Sequence, residues 1–178
     1  MIALFCTTED IKRYSIMDGS VDQDLFLTFL ETSQEMKIKP VLGTKLYDRL
    51  QEGIVNDDLT ADEQTLLDDY VNKTIIFYAS ADYLPFAGVK ISNGGVFRHT
   101  SENSTTVSKE DIDVLKKLTT SKAEYYRNEL IKYLCNNSSL YPEYSQNTSG
   151  DIYPDKSRDY SGGWYFGKGE TYNWKTDD

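Results

Sequence analysis

The chain has 178 residues, of which 39% are hydrophobic and 27% charged, and its mean hydropathy is -0.56. This composition is typical of one soluble globular domain, and the sequence contains no apolar run suited to a membrane span or a signal peptide. The net charge of -10 and the pI near 4.6 disfavour binding to a nucleic-acid backbone, because such binding depends on lysine and arginine.

The first part of the chain alternates apolar helical patterns with short breakers. Thr7 or Thr8 is placed to cap a short first helix. A second helix is predicted over residues 22–39, and Pro40 is expected to stop it because proline cannot continue the helical hydrogen bonds. A short third helix then ends at Gly53.

The clearest start signal is Thr60 with Glu63 three residues later, which fits a capping box. The helix that follows is apolar nearly all round over residues 75–81, and a helix of that kind belongs in the centre of a fold. Pro85 is predicted to kink or end this central helix.

Two short β-prone runs flank Asn93 and Gly94, a pair that tolerates the positive φ angles of a type I′ turn. They predict a β-hairpin at about 89–99. Ser108 is predicted to open the last helix, whose expected buried stripe consists of Ile112, Leu115, Thr119, Ala123, Tyr126, Leu130 and Leu134. The predicted fold class is mainly α, a helical bundle of four to five helices with one inserted β-hairpin, over residues 1–137.

Residues 138–178 have a different character and are predicted to form an extended C-terminal tail rich in tyrosine, glycine and tryptophan. Leu140 and Ile152 are the two aliphatic residues of this stretch. Aromatic side chains concentrate in interfaces, so we expect the tail to become ordered on a partner chain rather than on its own body. A chain cut after Ser138 is then expected to remain helical.

The sequence contains no recognisable catalytic or metal-binding constellation. His99 is the single histidine and has no nucleophile or orienting carboxylate beside it, and Cys6 and Cys135 match no metal or redox spacing. The acidic residues between 57 and 69 do not match a calcium-binding loop and are interpreted as a solvated acidic face. We therefore predict a protein that is not an enzyme and uses no cofactor or metal.

The candidate partner-binding residues belong to the predicted hairpin and to the aromatic tail. They are Ile91, Asn93, Gly94, Val96, Phe97, Tyr153, Trp164, Tyr165, Phe166 and Trp174.

Several short segments, taken in their order, resemble a known family. They are residues 7–14, 21–24, 83–87, 99–103, 151–156 and 162–165. Together they resemble the neck ring, or head-tail connector, proteins of crAss-like tailed bacteriophages that infect gut Bacteroidales. Residues 40–47 are similar to a stretch found in many phage connector proteins.

This resemblance implies a helical connector fold with a hairpin and a ring, usually a dodecamer, docked below the portal. It implies a virion protein of the neck or tail region, assembled in the host bacterial cytoplasm. The expected partners are copies of the chain, the portal and other neck and tail proteins. Genomic DNA would pass through the channel without sequence-specific binding, and no membrane is involved. The resemblance carries over no catalytic residue.

Two other functions remain open from the sequence. One is a carboxylate-based hydrolase. The other is a carbohydrate-binding or general protein-interaction module in which Trp164, Tyr165 and Trp174 stack on a ligand. Single-stranded nucleic acid is disfavoured as that ligand, because acidic residues outnumber basic ones in the tail.

Overall fold

The computed structural model describes residues 3–14, 23–87, 89–92, 95–98 and 108–156. These ranges contain six α-helices: α1 (Thr8–Tyr14), α2 (Gln23–Ser33), α3 (Lys39–Asn56), α4 (Ala61–Leu66), α5 (Asn72–Tyr83) and α6 (Lys109–Asn136). A π-helical turn over Gln34–Ile38 joins α2 to α3, and a second over Leu67–Val71 joins α4 to α5. No helix of this described part is long and apolar enough to cross a membrane.

The sequence predicts that Pro40 stops the second helix, and this prediction is wrong. The π-helical turn precedes it, and Pro40 stands in the first turn of α3, where a missing N–H costs no helical hydrogen bond. The helical path breaks at Gly43 instead, which has φ 76° and ψ 163°. The third helix also runs beyond the predicted end at Gly53, as far as Asn56.

The predicted central helix is confirmed. It forms one rod from α4 through the π turn to α5, and Thr60 and Glu63 make the predicted capping box at its start. Most of its apolar residues are buried, with Ile75, Ile76 and Ala79 fully shielded from solvent, whereas Phe77 is half-buried. A 3₁₀ turn over Leu84–Phe86 ends the rod, as the position of Pro85 predicted.

The last helix, α6, runs antiparallel to this rod. Tyr133 stacks on Tyr70 with ring centroids 4.1 Å apart, and Tyr126 stacks on Phe77 at 5.2 Å. From Thr119 onward the predicted stripe is buried, except at Tyr126, which is half-buried. It is wrong for the first turns, where Leu115 is exposed, because the rod ends at the 3₁₀ turn and α6 extends past it.

The predicted fold class requires correction. Two short strands, β1 (Val89–Ser92) and β2 (Gly95–Arg98), pair antiparallel with each other. The described core comes from the helices, the residues before α1 and the segment after α6. The predicted class, a bundle with an inserted β-hairpin as one of its elements, is therefore corrected to a mainly helical fold whose described core is built without a strand. Two paired strands of this length have little stability of their own.

The chain after α6 returns to the helices instead of extending away from them. A 3₁₀ turn over Pro142–Tyr144 follows Tyr141, and both Tyr141 and Tyr144 are fully buried in the core. The Tyr141 hydroxyl donates a hydrogen bond to the backbone oxygen of Asp62 at 2.8 Å. The tail is thus packed on its own body as far as residue 156, and residues 157–178 lie outside the described ones.

Candidate interaction sites

The two cysteines have environments that favour ordinary packing. Cys6 is buried, and its thiol lies 3.7 Å from the backbone oxygen of Asn72, to which it donates. Burial, and secondarily the charge of Asp10, raises the pKa of Cys6 far above that of a free thiol, so the group is neutral. Cys135 is free and half-buried. A neutral buried thiol is a poor nucleophile.

The acidic residues after α3 are organised by an arginine that the sequence analysis overlooked. The Arg49 guanidinium donates to the Asp58 carboxylate at 2.8 Å, and its Nε lies 3.0 Å from the buried Glu63 carboxylate. The hydrogen bond to Asp58 is the main cause of a raised pKa at Arg49. These two ion pairs therefore fix the start of α4 against α3. In the described ranges, no group of three or more metal-ligating side chains is placed to hold a metal ion.

The break at Gly43 is closed by a distant segment, residues 151–155, which we call the clasp. An uninterrupted helix would pair the Thr44 N–H with the Pro40 oxygen. Here the Thr44 N–H donates to the Ile152 oxygen at 3.0 Å, and the Pro40 oxygen accepts from the Asp155 N–H at 2.8 Å. The clasp thus satisfies both backbone groups that the break leaves open.

Gly43 permits this close approach because it has no side chain. A Cβ atom at this position would lie 2.6 Å from Cγ of Pro154, and the backbone conformation is one that L-residues rarely adopt. The sequence predicts a break at Gly43, but it contains no local signal for the clasp, which lies more than a hundred residues away.

Charged side chains hold both ends of the clasp. Asp155 pairs with Arg127 of α6, and Asp151 lies 3.8 Å from the Lys45 ammonium. The backbone N–H of Thr148, followed by its hydroxyl, donates to the Asp151 carboxylate and lowers the pKa of that group. The clasp is therefore fixed to α3 at one end and to α6 at the other.

The outer side of α6 carries an apolar stripe, which we call the outer stripe: Val114, Leu118 and Tyr125. These side chains share one side of the helix at steps of four and seven residues. Leu118 is 57% exposed and Tyr125 60% exposed. Beside them lies a shallow groove, wide open to solvent, whose described lining consists of α6 residues between Asp113 and Asn128.

Only some of the predicted partner-binding residues lie among the described residues. Tyr153 lies in the clasp and is largely exposed. The backbone pairing sets Ile91 opposite Val96 and Phe97 opposite Lys90. Asn93, Gly94, His99, Trp164, Tyr165, Phe166 and Trp174 lie outside the described residues.

The sequence analysis did not predict the outer stripe, because it followed the one apolar side of α6 expected to be buried and named neither Val114 nor Leu118. The signal was present in the sequence: α6 has apolar residues on two sides, and one neighbouring rod can cover only one of them.

Comparisons with known proteins give one match. A family model described as a family of unknown function (DUF6712) matches residues 38–154, which is more than half of the chain. The matched range begins just before the Gly43 break and includes the clasp residue Pro154. No curated protein and no solved structure matches the chain.

Proposed function

We propose a function for this chain, which belongs to the DUF6712 family of unknown function: it is a structural subunit of the neck of a tailed bacteriophage. Twelve copies of the chain form a ring that joins the portal to the tail and extends the DNA channel. The ring contacts the portal and other neck or tail proteins, and it belongs to the virion after assembly in the bacterial cytoplasm.

The observation that carries this proposal is the outer stripe on α6. Val114, Leu118 and Tyr125 are apolar side chains that the described part of one chain leaves exposed, on a helix whose other side is already packed. Contiguous exposed apolar surface of this kind marks sites of contact between proteins. A ring subunit requires such a surface, because each copy must bind the next.

The charge distribution also supports a subunit around a DNA channel. The chain carries a net charge of -10. Arg49 and Arg127 are engaged by carboxylates of the same chain and are therefore not available for phosphate. An acidic lumen repels DNA and lets it pass without sticking.

The clasp adds a further argument. Two of the segments in which the sequence resembles phage connector proteins, residues 40–47 and 151–156, are distant along the chain. They contact each other in the clasp through Thr44 and Ile152. The resemblance therefore concerns two segments that act as one structural unit.

Electron microscopy of the purified full-length chain, alone and mixed with the portal protein of the same phage, tests this function. We expect closed rings, and a mass by light scattering that is a fixed multiple of 20.4 kDa. Leu118→Asp should abolish the rings, because it places a charge in the contact. The matched control is Val55→Asp, at a valine of α3 that is 68% exposed, and it should leave them intact. If the natural chain stays monomeric both alone and with the portal protein, the proposal is contradicted.

A further inference from the structure

The chain has an aromatic segment that needs apolar surface and an apolar stripe that needs an occupant. Residues 157–178 contain no aliphatic residue and carry six aromatic ones: Tyr160, Trp164, Tyr165, Phe166, Tyr172 and Trp174. Aromatic rings of this number cannot form a core among glycines and polar residues, so burial requires surface from elsewhere.

The clasp determines where this segment starts. Asp155 pairs with Arg127 of α6, and the Lys156 ammonium lies 4.6 Å from the centre of the buried Tyr144 ring. Lys156, the last described residue before the segment, is therefore held at a fixed point of the body. Arg127 and Leu118 are nine residues apart, which is about 180° around a helix with about 3.6 residues per turn. Asp155, two residues before the segment, therefore lies on the side of α6 opposite to the outer stripe.

This placement matches a head-to-tail arrangement of copies. In a closed ring with rotational symmetry, each subunit presents one surface to the neighbour on its left and a different surface to the neighbour on its right. A segment that leaves one side of α6 and a stripe on the other side are two such surfaces. The outer stripe spans about 16 Å at about 1.5 Å per helical residue, whereas the 22 residues after Lys156 reach up to about 70 Å when extended.

We propose that the aromatic segment 157–178 of one copy docks on the outer stripe of α6 of the adjacent copy. Its rings cover Val114, Leu118 and Tyr125, and the groove beside Tyr125 receives one of them. The polar side chains that line the groove, among them Thr120, Ser121 and Asn128, offer partners to tyrosine hydroxyls and indole N–H groups. The inference rests on the proposed function only in taking the neighbour to be a second copy of the chain.

Tryptophan fluorescence provides a direct measurement, because both tryptophans of the chain, Trp164 and Trp174, lie in the segment. In the full-length protein we expect emission at shorter wavelength than that of free tryptophan, and protection from quenching by acrylamide. Leu118→Asp should shift the emission to longer wavelength and restore quenching. Val55→Asp should change neither.

A mixing experiment identifies the copy that supplies the stripe. One chain ends after Lys156 and has an intact stripe but no tryptophan, and the other carries Leu118→Asp and has an intact segment. Docking between copies predicts that mixing them restores the protected emission, which the Leu118→Asp chain alone lacks. Protection in the full-length chain that persists at high dilution, where the chain is monomeric, overturns the proposal in favour of docking within one copy.

The readout also separates this inference from the proposed function. If rings form but their tryptophans are quenched as readily as free tryptophan, the docking is contradicted and the proposed ring is not. The same holds if Leu118→Asp leaves the tryptophan emission and its quenching unchanged. Protected tryptophans in an open or dimeric assembly support the docking and contradict the ring.

Discussion

At the scale of single residues, Gly43 determines how the chain closes on itself. Its φ of 76° and ψ of 163° lie in a region that is essentially restricted to glycine, and its missing side chain admits Pro154. The break removes one helical hydrogen bond, and the clasp supplies a new partner for each of the two backbone groups left open. One residue therefore couples the geometry of α3 to a segment at the other end of the chain.

Gly43→Ala should lower the free energy of unfolding by more than backbone strain alone explains. The strained backbone costs about 1–3 kcal/mol, and the new Cβ meets Pro154 Cγ at 2.6 Å. The matched control is Gly150→Ala, which also has positive φ, 98°, but has no heavy atom within 4 Å of the new Cβ. Urea denaturation of both variants measures the difference. Equal losses in the two would show that the contact with Pro154 contributes nothing.

At the scale of elements, the clasp links α3 and α6 through charges as well as backbone bonds. Asp151 accepts from Thr148 and lies near Lys45, so its pKa is lowered in the folded protein. A carboxyl group with a lowered folded pKa stabilises the fold fully above its ordinary pKa. That contribution is lost as the pH falls through the lower, folded value.

Asp151→Asn isolates this contribution, because the side-chain oxygen of asparagine can still accept from Thr148. The variant should be less stable than the natural protein at neutral pH. The stability difference should shrink as the pH falls below the ordinary aspartate value of 3.8. Denaturation midpoints measured across this pH range provide the comparison. A difference that stays constant down to the most acidic pH would indicate that the Asp151 charge is not involved.

The same scale explains which helices the sequence could predict. The caps at Thr60 and Ser108 are local features, and each lies where the sequence predicted it. The tolerance of Pro40 depends on the π-helical turn before α3, and α3 ends where Asp57 adopts a left-handed conformation; local hydrophobic spacing predicts neither feature. Local chemistry therefore determined helix starts more reliably than helix ends.

At the scale of the whole molecule, the position of the boundary between body and tail has consequences for folding. The sequence suggested a body that ends at residue 137. The structure places Tyr141 and Tyr144 in the core and residues 151–155 on the Gly43 break. Residues 138–156 therefore belong to the folded body, and the aromatic segment begins after Lys156.

Two truncations test this assignment. A chain that ends after Lys156 should keep the helical circular dichroism and nearly the melting temperature of the full-length protein. A chain that ends after Ser138 should be largely unfolded. Loss of one buried aromatic side chain costs about 3–5 kcal/mol, and a domain has only about 5–15 kcal/mol in total. If the shorter chain melts like the longer one, Tyr141 and Tyr144 are not core residues.

The sequence by itself determined the helical class, the central rod and the acidic character of the protein, because these follow from spacing, caps and composition. It also contained the aromatic segment, whose contacts stay a prediction. Only the tertiary structure decided that Pro154 meets Gly43, that Arg49 binds Asp58 and Glu63, and that Val114 and Leu118 are exposed. Each of these depends on which distant segments come together and on where the rod ends beside α6. Periodicity reports that a helix has an apolar side, but the lengths and register of its neighbours decide whether that side is covered.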